Sequence, residues 1–319
     1  MRVRFWGTRG SIPVAQTSVA IQKKVVAALI KASGRVLDTP DKARAFVEQE
    51  LEFPVSHTFG GNSSCVELLG ENVEYLLCDM GSGARAFAMA ALARHGPGQP
   101  QSYHVLISHP HWDHIMGFPF FMPAYLPGNL IRIYGCHANL EEAFRRQHGP
   151  PSFPVDFKQL GANIQFIPLT PGRPADVAGF TVTPKLQRHG GDSYGYRIER
   201  AGKVLVYSTD SEHKLDDPAT VRPFVDFFRE ADLVIFDAQY SLAEAMSVKE
   251  DWGHSSNIVG VELCQMARAR HLCLYHHEPM LDDDQLFTLL SETRRFEEIT
   301  RNGHRVEISA AYDGMEIAL

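Results

Sequence analysis

Apolar runs bounded by turn residues recur along the whole chain. In the first half they are "MRVRFWG" (1–7), "SCVELLG" (64–70), "VEYLLCDM" (73–80), "HVLISH" (104–109) and "LIRIYG" (130–135). In the second they are "IQFIPL" (164–169), "FTVTPKL" (180–186), "YGYRIER" (194–200), "KVLVYSTD" (203–210), "LVIFDA" (233–238) and "LCLYH" (272–276). Their length and β-branched content predict strands, and "DGMEIAL" (313–319) reads as a last one. Ala-rich "SGARAFAMAALARH" (82–95) fits a helix lying on a sheet, and further helices are expected over 255–270 and 282–297, the latter opened by the acidic run Asp282–Asp284. Strand-rich halves with interspersed helices predict sheets packed together with helices outside, an α/β (α+β) chain.

Residues 15–56 break the pattern. Apolar spacing over 19–30 fits an amphipathic helix, and Thr39-Pro40-Asp41 reads as a second helix start. The segment is predicted to be a helical hairpin inserted between the first strand and the "FGGNSS" turn (59–64). "VAIQKKVVAALI" (19–30) carries more apolar surface than a monomer ordinarily leaves uncovered. A lid over a site or a contact between subunits is therefore expected, and with the latter a homodimer.

Composition narrows the class. A chain of 319 residues with 44% hydrophobic and 22% charged residues can bury a large core. No apolar stretch reaches the roughly 18 residues of a membrane span, and the N-terminus lacks a signal peptide's apolar core, so a cytoplasmic location is expected. A net charge of −7 counts against a broad nucleic-acid surface. Five scattered cysteines without a C-x-x-C pair suggest neither a disulfide framework nor a zinc ribbon.

Histidine is the informative residue, and its arrangement carries the chemistry. "SHPHWDH" (108–114) places His109, His111, Asp113 and His114 directly after a strand. Pro110 stops the strand from running straight into a helix, so the segment must turn. His109 and His111 can then point one way and Asp113 with His114 toward a neighbouring centre. Imidazole and carboxylate suit zinc, manganese or iron(II). Asp79, His189, Asp210 and His276 sit at or just past the ends of other strands, where they can converge on one cleft. His276 is preferred to His277 as a ligand because it directly ends its strand, and neighbouring side chains there diverge.

These residues resemble the metallo-β-lactamase-fold hydrolase superfamily. The resemblance covers nearly all of the chain apart from 15–56 and implies a single domain, 1–319, built as a four-layer αββα sandwich with the metals at one edge. It implies that His109, His111 and His189 hold one divalent ion, Asp113, His114 and His276 a second, and that Asp210 bridges, with Asp79 orienting a ligand. Zinc is the expected metal, with manganese or iron(II) as alternatives. "WGHSS" (252–256) is similar to the His-Ser-Thr motif of ribonuclease Z and of the phosphoribosyl cyclic phosphodiesterase of phosphonate breakdown, with Ser256 in place of Thr. "FWGTRGSIP" (5–13) and "FGGNSS" also resemble that branch.

The implied function is a dinuclear-metal-dependent phosphodiesterase acting on a small or cyclic diester. A metal-held hydroxide attacks, Asp113 serves the catalytic centre, and His254 protonates the leaving oxygen. Trp112 can stack on a base or sugar, Arg188 can pair with a phosphate, and His277 can line the rim. The alternatives are hydrolysis of a lactone, thioester or β-lactam, tRNA 3′ processing, and a non-hydrolytic sensor. Redox members of the superfamily normally carry an acidic residue where His111 stands.

Overall fold

A computed structural model describes residues 1–70, 74–240 and 253–319. Their fourteen strands form two seven-stranded sheets, in the order β14-β1-β2-β3-β4-β5-β6 and β13-β12-β11-β10-β9-β8-β7. The first sheet comprises β1 (Arg2–Gly7), β2 (Cys65–Leu69), β3 (Tyr75–Cys78), β4 (Ser102–Leu106), β5 (Leu130–Gly135), β6 (Asn163–Pro168) and β14 (Glu316–Ala318). The second comprises β7 (Ala175–Val177), β8 (Phe180–Gln187), β9 (Ser193–Arg200), β10 (Lys203–Ser208), β11 (Leu233–Asp237), β12 (His271–Tyr275) and β13 (Glu307–Ala310).

Both sheets are buried on both faces, which is why their strands read as apolar runs without clean alternation. The period of two is still there. Leu76 and Cys78 join the core between the sheets, while Tyr75 and Leu77 point out under the helix α4 (Gly83–His95). In the second sheet Leu205, Ile235 and Cys273 face inward. Val206, Val234 and Leu272 face outward under α7 (Pro218–Phe228), α8 (Asn257–Ala267) and α9 (Asp283–Thr300). Three cores thus separate four layers, helix–sheet–sheet–helix. Truncating one such Leu to Ala costs about 2–5 kcal/mol.

Strands β3 to β6 pair in parallel, as do β10 to β13. Parallel strands carry their carboxyl ends on one rim, the usual place for a ligand site in such sheets. Asp79, Asp210 and His276 directly follow or lie just past these ends, each in the left-handed backbone region at φ 61°, 46° and 58°. Such a residue leaves the alternation of its strand, and strain of this kind gathers at functional sites.

Within 15–56 the helices are α1 (Ser18–Lys31), α2 (Pro40–Gln49) and a short α3 (Phe53–Ser56). Thr17 and Thr39 accept from the amides of Ala20 and Lys42 at the two helix starts. Helix α1 packs on α3. Lys24 pins it there, reaching the carbonyls of Pro54 and His57 and the buried carboxylate of Asp283. Among the described residues no helix is long and apolar enough to cross a membrane. Asp282 caps α9. Asp283 is spent on Lys24, Thr58 and the amide of Phe59, not on a histidine of the "SHPHWDH" loop.

Candidate dinuclear metal centre

The loop after β4 turns at Pro110, and Trp112–Ile115 forms one helical turn, α5. His109, Asp113 and His114 are buried, whereas His111 is exposed. The structure brings together every ligand-type residue singled out above, in two sets. His109, His111 and His189 form one, and Asp113, His114, Asp210 and His276 the other. Asp210 lies between them. Its Oδ2 is 3.6 Å from His109 Nε2 and 3.7 Å from His189 Nε2. Its Oδ1 is 3.2 Å from His114 Nε2 and 3.3 Å from His276 Nε2. Asp113 Oδ2 lies 3.2 Å from both of those nitrogens, and His189 Nε2 is 3.1 Å from His111 Nδ1.

These spacings fit shared cations. Ligand atoms about 2.0–2.1 Å from one tetrahedral ion lie about 3.3–3.4 Å from each other. Among the described residues His109 Nε2 and His114 Nε2 are buried without a hydrogen-bond partner, a costly arrangement that a cation relieves.

The opposite ring nitrogens explain why the Nε2 atoms point inward. His114 Nδ1 donates to Asp79 Oδ2 at 2.7 Å, and His189 Nδ1 donates to the carbonyl of Gly253 at 2.8 Å. Asp79 is fully buried and also accepts from the Ser108 amide, the Ser108 hydroxyl and the Tyr207 hydroxyl. The charge states of the cluster divide. Burial pulls His114 down, but Asp113, Asp210 and Asp79 push it well above the ordinary imidazole range, so a cation held there would displace a proton. Burial, with help from neighbouring imidazoles, holds His109 low and therefore neutral; His111, open to solvent on one side, is lowered by partial desolvation of its inner side and by His189. Burial alone would raise Asp113 and Asp210, but the surrounding histidines keep both ionised.

His254 stands beside both sets, its ring centroid 5.0 Å from that of His189 and 5.2 Å from that of His276. Its loop is tied down on both sides. Ser255 donates to the carbonyl of Ser211 and accepts from the amide of His213, and Ser256 caps α8. Trp252, from the same motif, lies outside the described residues. His254 Nδ1 donates to the fully buried Asp237 at 2.8 Å. Burial pulls this imidazole down, but Asp237, with Asp210 and Asp113 behind it, pushes it up to about 9.

Asp237 was missed in the sequence, although it closes "LVIFDA" just as Asp79 closes "VEYLLCDM". Ser11 was missed too. Its amide donates to Asp113 Oδ2 at 2.8 Å from a left-handed backbone at φ 57°, and its hydroxyl accepts from Gln239. The neighbouring Gly10 is required by space, since a Cβ there would lie 2.6 Å from the His276 ring. Of the three suggested substrate contacts, Trp112 is 71% exposed next to Asp113, and Arg188 is exposed next to His189. His277 lies elsewhere than the sequence suggested. It is buried, stacks edge-on against Phe59, and donates Nε2–H to the carbonyl of Ala311 at 2.7 Å, so it does not line the rim. The left-handed backbone at His276 ends the strand there, and the two rings meet different partners, His276 the carboxylates of Asp113 and Asp210 and His277 the carbonyl of Ala311.

A family model described as a beta-lactamase superfamily domain matches residues 74–277, which include every residue of both sets and His254. The chain belongs to the metallo-β-lactamase superfamily. Within that superfamily it is 26% identical over 169 residues to an uncharacterized protein of Mycobacterium leprae, covering 52% of this chain and 55% of that one. It is 23% identical over 235 residues to ribonuclease Z of Thermoplasma acidophilum, covering 60% and 73%. The chain thus spans about half the length of the first of these relatives. Three solved structures share the fold. The metallo-beta-lactamase fold protein YhfI from Bacillus subtilis superposes with a TM-score of 0.64 at 19% identity, covering 99% of this chain and 98% of that one. A diphosphatase from the PhnP family does so at 0.59 and 17%, covering 100% and 97%. The short form of human tRNase Z does so at 0.58 and 20%, covering 100% and 99%. This metallo-β-lactamase-fold chain therefore has the four-layer sandwich of a hydrolase fold, with a His/Asp cluster able to hold divalent ions at its rim.

Proposed function

We propose that this chain is a dinuclear-metal-dependent phosphodiesterase acting on a small or cyclic phosphodiester. The observation that carries the reading is the Asp237–His254 pair set against the metal-type cluster. His109, His111 and His189 would hold one ion, Asp113, His114 and His276 the other, and Asp210 would touch both; zinc is the expected metal. Divalent ions there supply an activated water and neutralise charge on phosphoryl oxygens.

The chain's own residues supply the rest. Asp237 fixes the His254 ring through Nδ1, which leaves the second proton of the imidazolium on Nε2. A diester expels an alkoxide of high pKa, and a donor placed for that oxygen is worth about 10²–10⁴ in rate. A carbonyl substrate has less need of such a donor. Trp112, exposed beside Asp113, offers a face for a base or sugar, and Arg188 offers a cation for a phosphate oxygen. The net charge of −7 favours a small diester over the long phosphate backbone of a tRNA. The ribonuclease Z and PhnP-family relatives support phosphorus as the reacting centre.

The test is a panel of cyclic and linear diesters, monoesters, lactones and thioesters on zinc-loaded protein, repeated with His254→Ala. Diesters should be turned over best. The variant should keep its metal and lose far more rate on alkyl than on nitrophenyl leaving groups. Brisk lactone or thioester hydrolysis without diester turnover overturns the reading.

A further inference from the structure

Helix α1 is turned inside out. At about 100° per residue, its Ala20, Lys24 and Ala27 lie on one side, and all three are half-buried against the body. Val19, Ile21, Val25, Val26, Leu29 and Ile30 occupy the opposite half of the circumference, and each is more than half exposed. An amphipathic helix ordinarily buries its aliphatic stripe and wets its lysines. Here Lys24 is pinned under the helix to Asp283 and two carbonyls, Lys23 pairs with Asp284, and the stripe faces outward. Val36, 71% exposed, extends the apolar surface beyond the end of the helix.

We infer that this stripe is a self-association surface, occupied by α1 of a second copy of the chain in an antiparallel two-fold contact. Three observations select a second copy. The first is self-complementarity. The stretch Val25-Val26-Ala27-Ala28-Leu29-Ile30 presents its four large side chains in a spacing that is the same from either end. A two-fold axis at its midpoint sets Val25 against Ile30 of the other copy and Val26 against Leu29, as an isologous interface requires. The same axis brings Val19 toward Val36 of the other copy.

The second is charge. Residues 15–56 carry six cations and five anions, close to neutral in a chain of net charge −7. Two copies can therefore approach through this segment without the repulsion that their other faces impose. Four of its six cations are paired, Arg35 with Glu50 and Lys42 with Asp38, as well as the two lysines above. A lipid surface is recognised by several cations on the polar face of such a helix, and here Lys23 and Lys24 are already paired, which leaves Lys31 in the last turn. The third is area. The exposed aliphatic surface of α1 with Val36 is on the order of 800 Å², the area per partner of a standard-size interface.

Sedimentation velocity on the full chain at micromolar concentration tests the inference. The natural chain should run at twice its chain mass. Val26→Asp combined with Leu29→Asp should run at the chain mass with unchanged metal content, because both positions are exposed and neither supports the fold. Orientation is read by disulfide formation. A mixture of the Val25→Cys and Ile30→Cys proteins should cross-link well above either protein alone, and above the natural chain as a control for its half-buried Cys136. A natural chain that stays at the chain mass overturns the inference, as does a dimer that survives the double substitution. Val25→Cys alone linking as well as the mixture overturns the antiparallel contact. A chain of single mass that binds phosphatidylserine vesicles through α1 assigns the stripe to lipid instead.

Discussion

Replacing Asp237 by Asn should slow the enzyme in a way that depends on the leaving group. Asp237 is fully buried, and its Oδ2 accepts from both His254 Nδ1 and the Ser211 amide, at 2.8 and 3.0 Å. Asn is isosteric and keeps a carbonyl oxygen that can accept both of these bonds but removes the charge. Without that charge, burial is opposed only by the weaker push of Asp210 and Asp113, and the pKa of His254 should fall from about 9 toward the ordinary 6.5. At a pH of about 7.5 the protonated share then drops from nearly all toward about one tenth, a loss of up to about tenfold in proton donation. Turnover of a diester with an alkyl leaving group should fall by that factor, and the high-pH limb of its profile should move to lower pH. Nitrophenyl diesters, whose phenolate leaves without a proton, should change less than twofold to threefold by the same logic. Steady-state kcat against pH on both substrate types, with metal content measured on the same samples, is the assay. Asp237 Oδ1 is also 3.9 Å from His276 Nδ1, so the metal measurement separates a lost proton donor from a loosened ligand. Equal losses on both substrates with full metal occupancy would refute the acid role of His254.

Asp210→Ala should lose at least one of two bound ions per chain by elemental analysis, together with activity, because its two oxygens face different ligand sets; full activity in metal-free protein would end the dinuclear reading. His276→Ala should lose metal, whereas His277→Ala should keep it and cost about 1–3 kcal/mol of stability by stripping the donor from the buried Ala311 carbonyl; the reverse pattern would shift the ligand by one position. His213, buried against Phe224 and Phe236, is pulled by burial down to about 4. The unfolded chain takes up that proton near 6.5 and the folded chain only near 4, so the stability it contributes is present above 6.5 and lost as pH falls between those values, at about 1.4 kcal/mol per pH unit. In urea denaturation of metal-free protein, the natural chain should therefore lose more stability across that window than His213→Gln, and parallel curves would remove His213 as the cause.

Local sequence determined a large part of this protein. The apolar runs became strands close to their expected limits because strands buried on both faces need apolar side chains at consecutive positions. Asp79, His189, Asp210 and His276 stood out for a related reason: a polar ligand-type group at the end of such a run has little other reason to be there. Thr39 and Asp282 marked helix starts through bonds that reach only three residues along the chain. Which of these groups meet was another matter. The Asp237–His254 bond, the Ser11 amide on Asp113 and the division of Asp210 between two ligand sets join groups that no local signal links; the first two are set by which strands and loops neighbour one another on one sheet's side, and the third by the stacking of the two sheets. The divergence of His276 and His277 was legible in the sequence, but the destination of His277 was not, because Phe59 and the Ala311 carbonyl that receive its ring come from distant segments. The amphipathic period of α1 was plain in the sequence. Its direction was not, because Lys24, Pro54, His57 and Asp283 form their network only when the start of α9 is folded beneath the helix, and that network turns the aliphatic side outward.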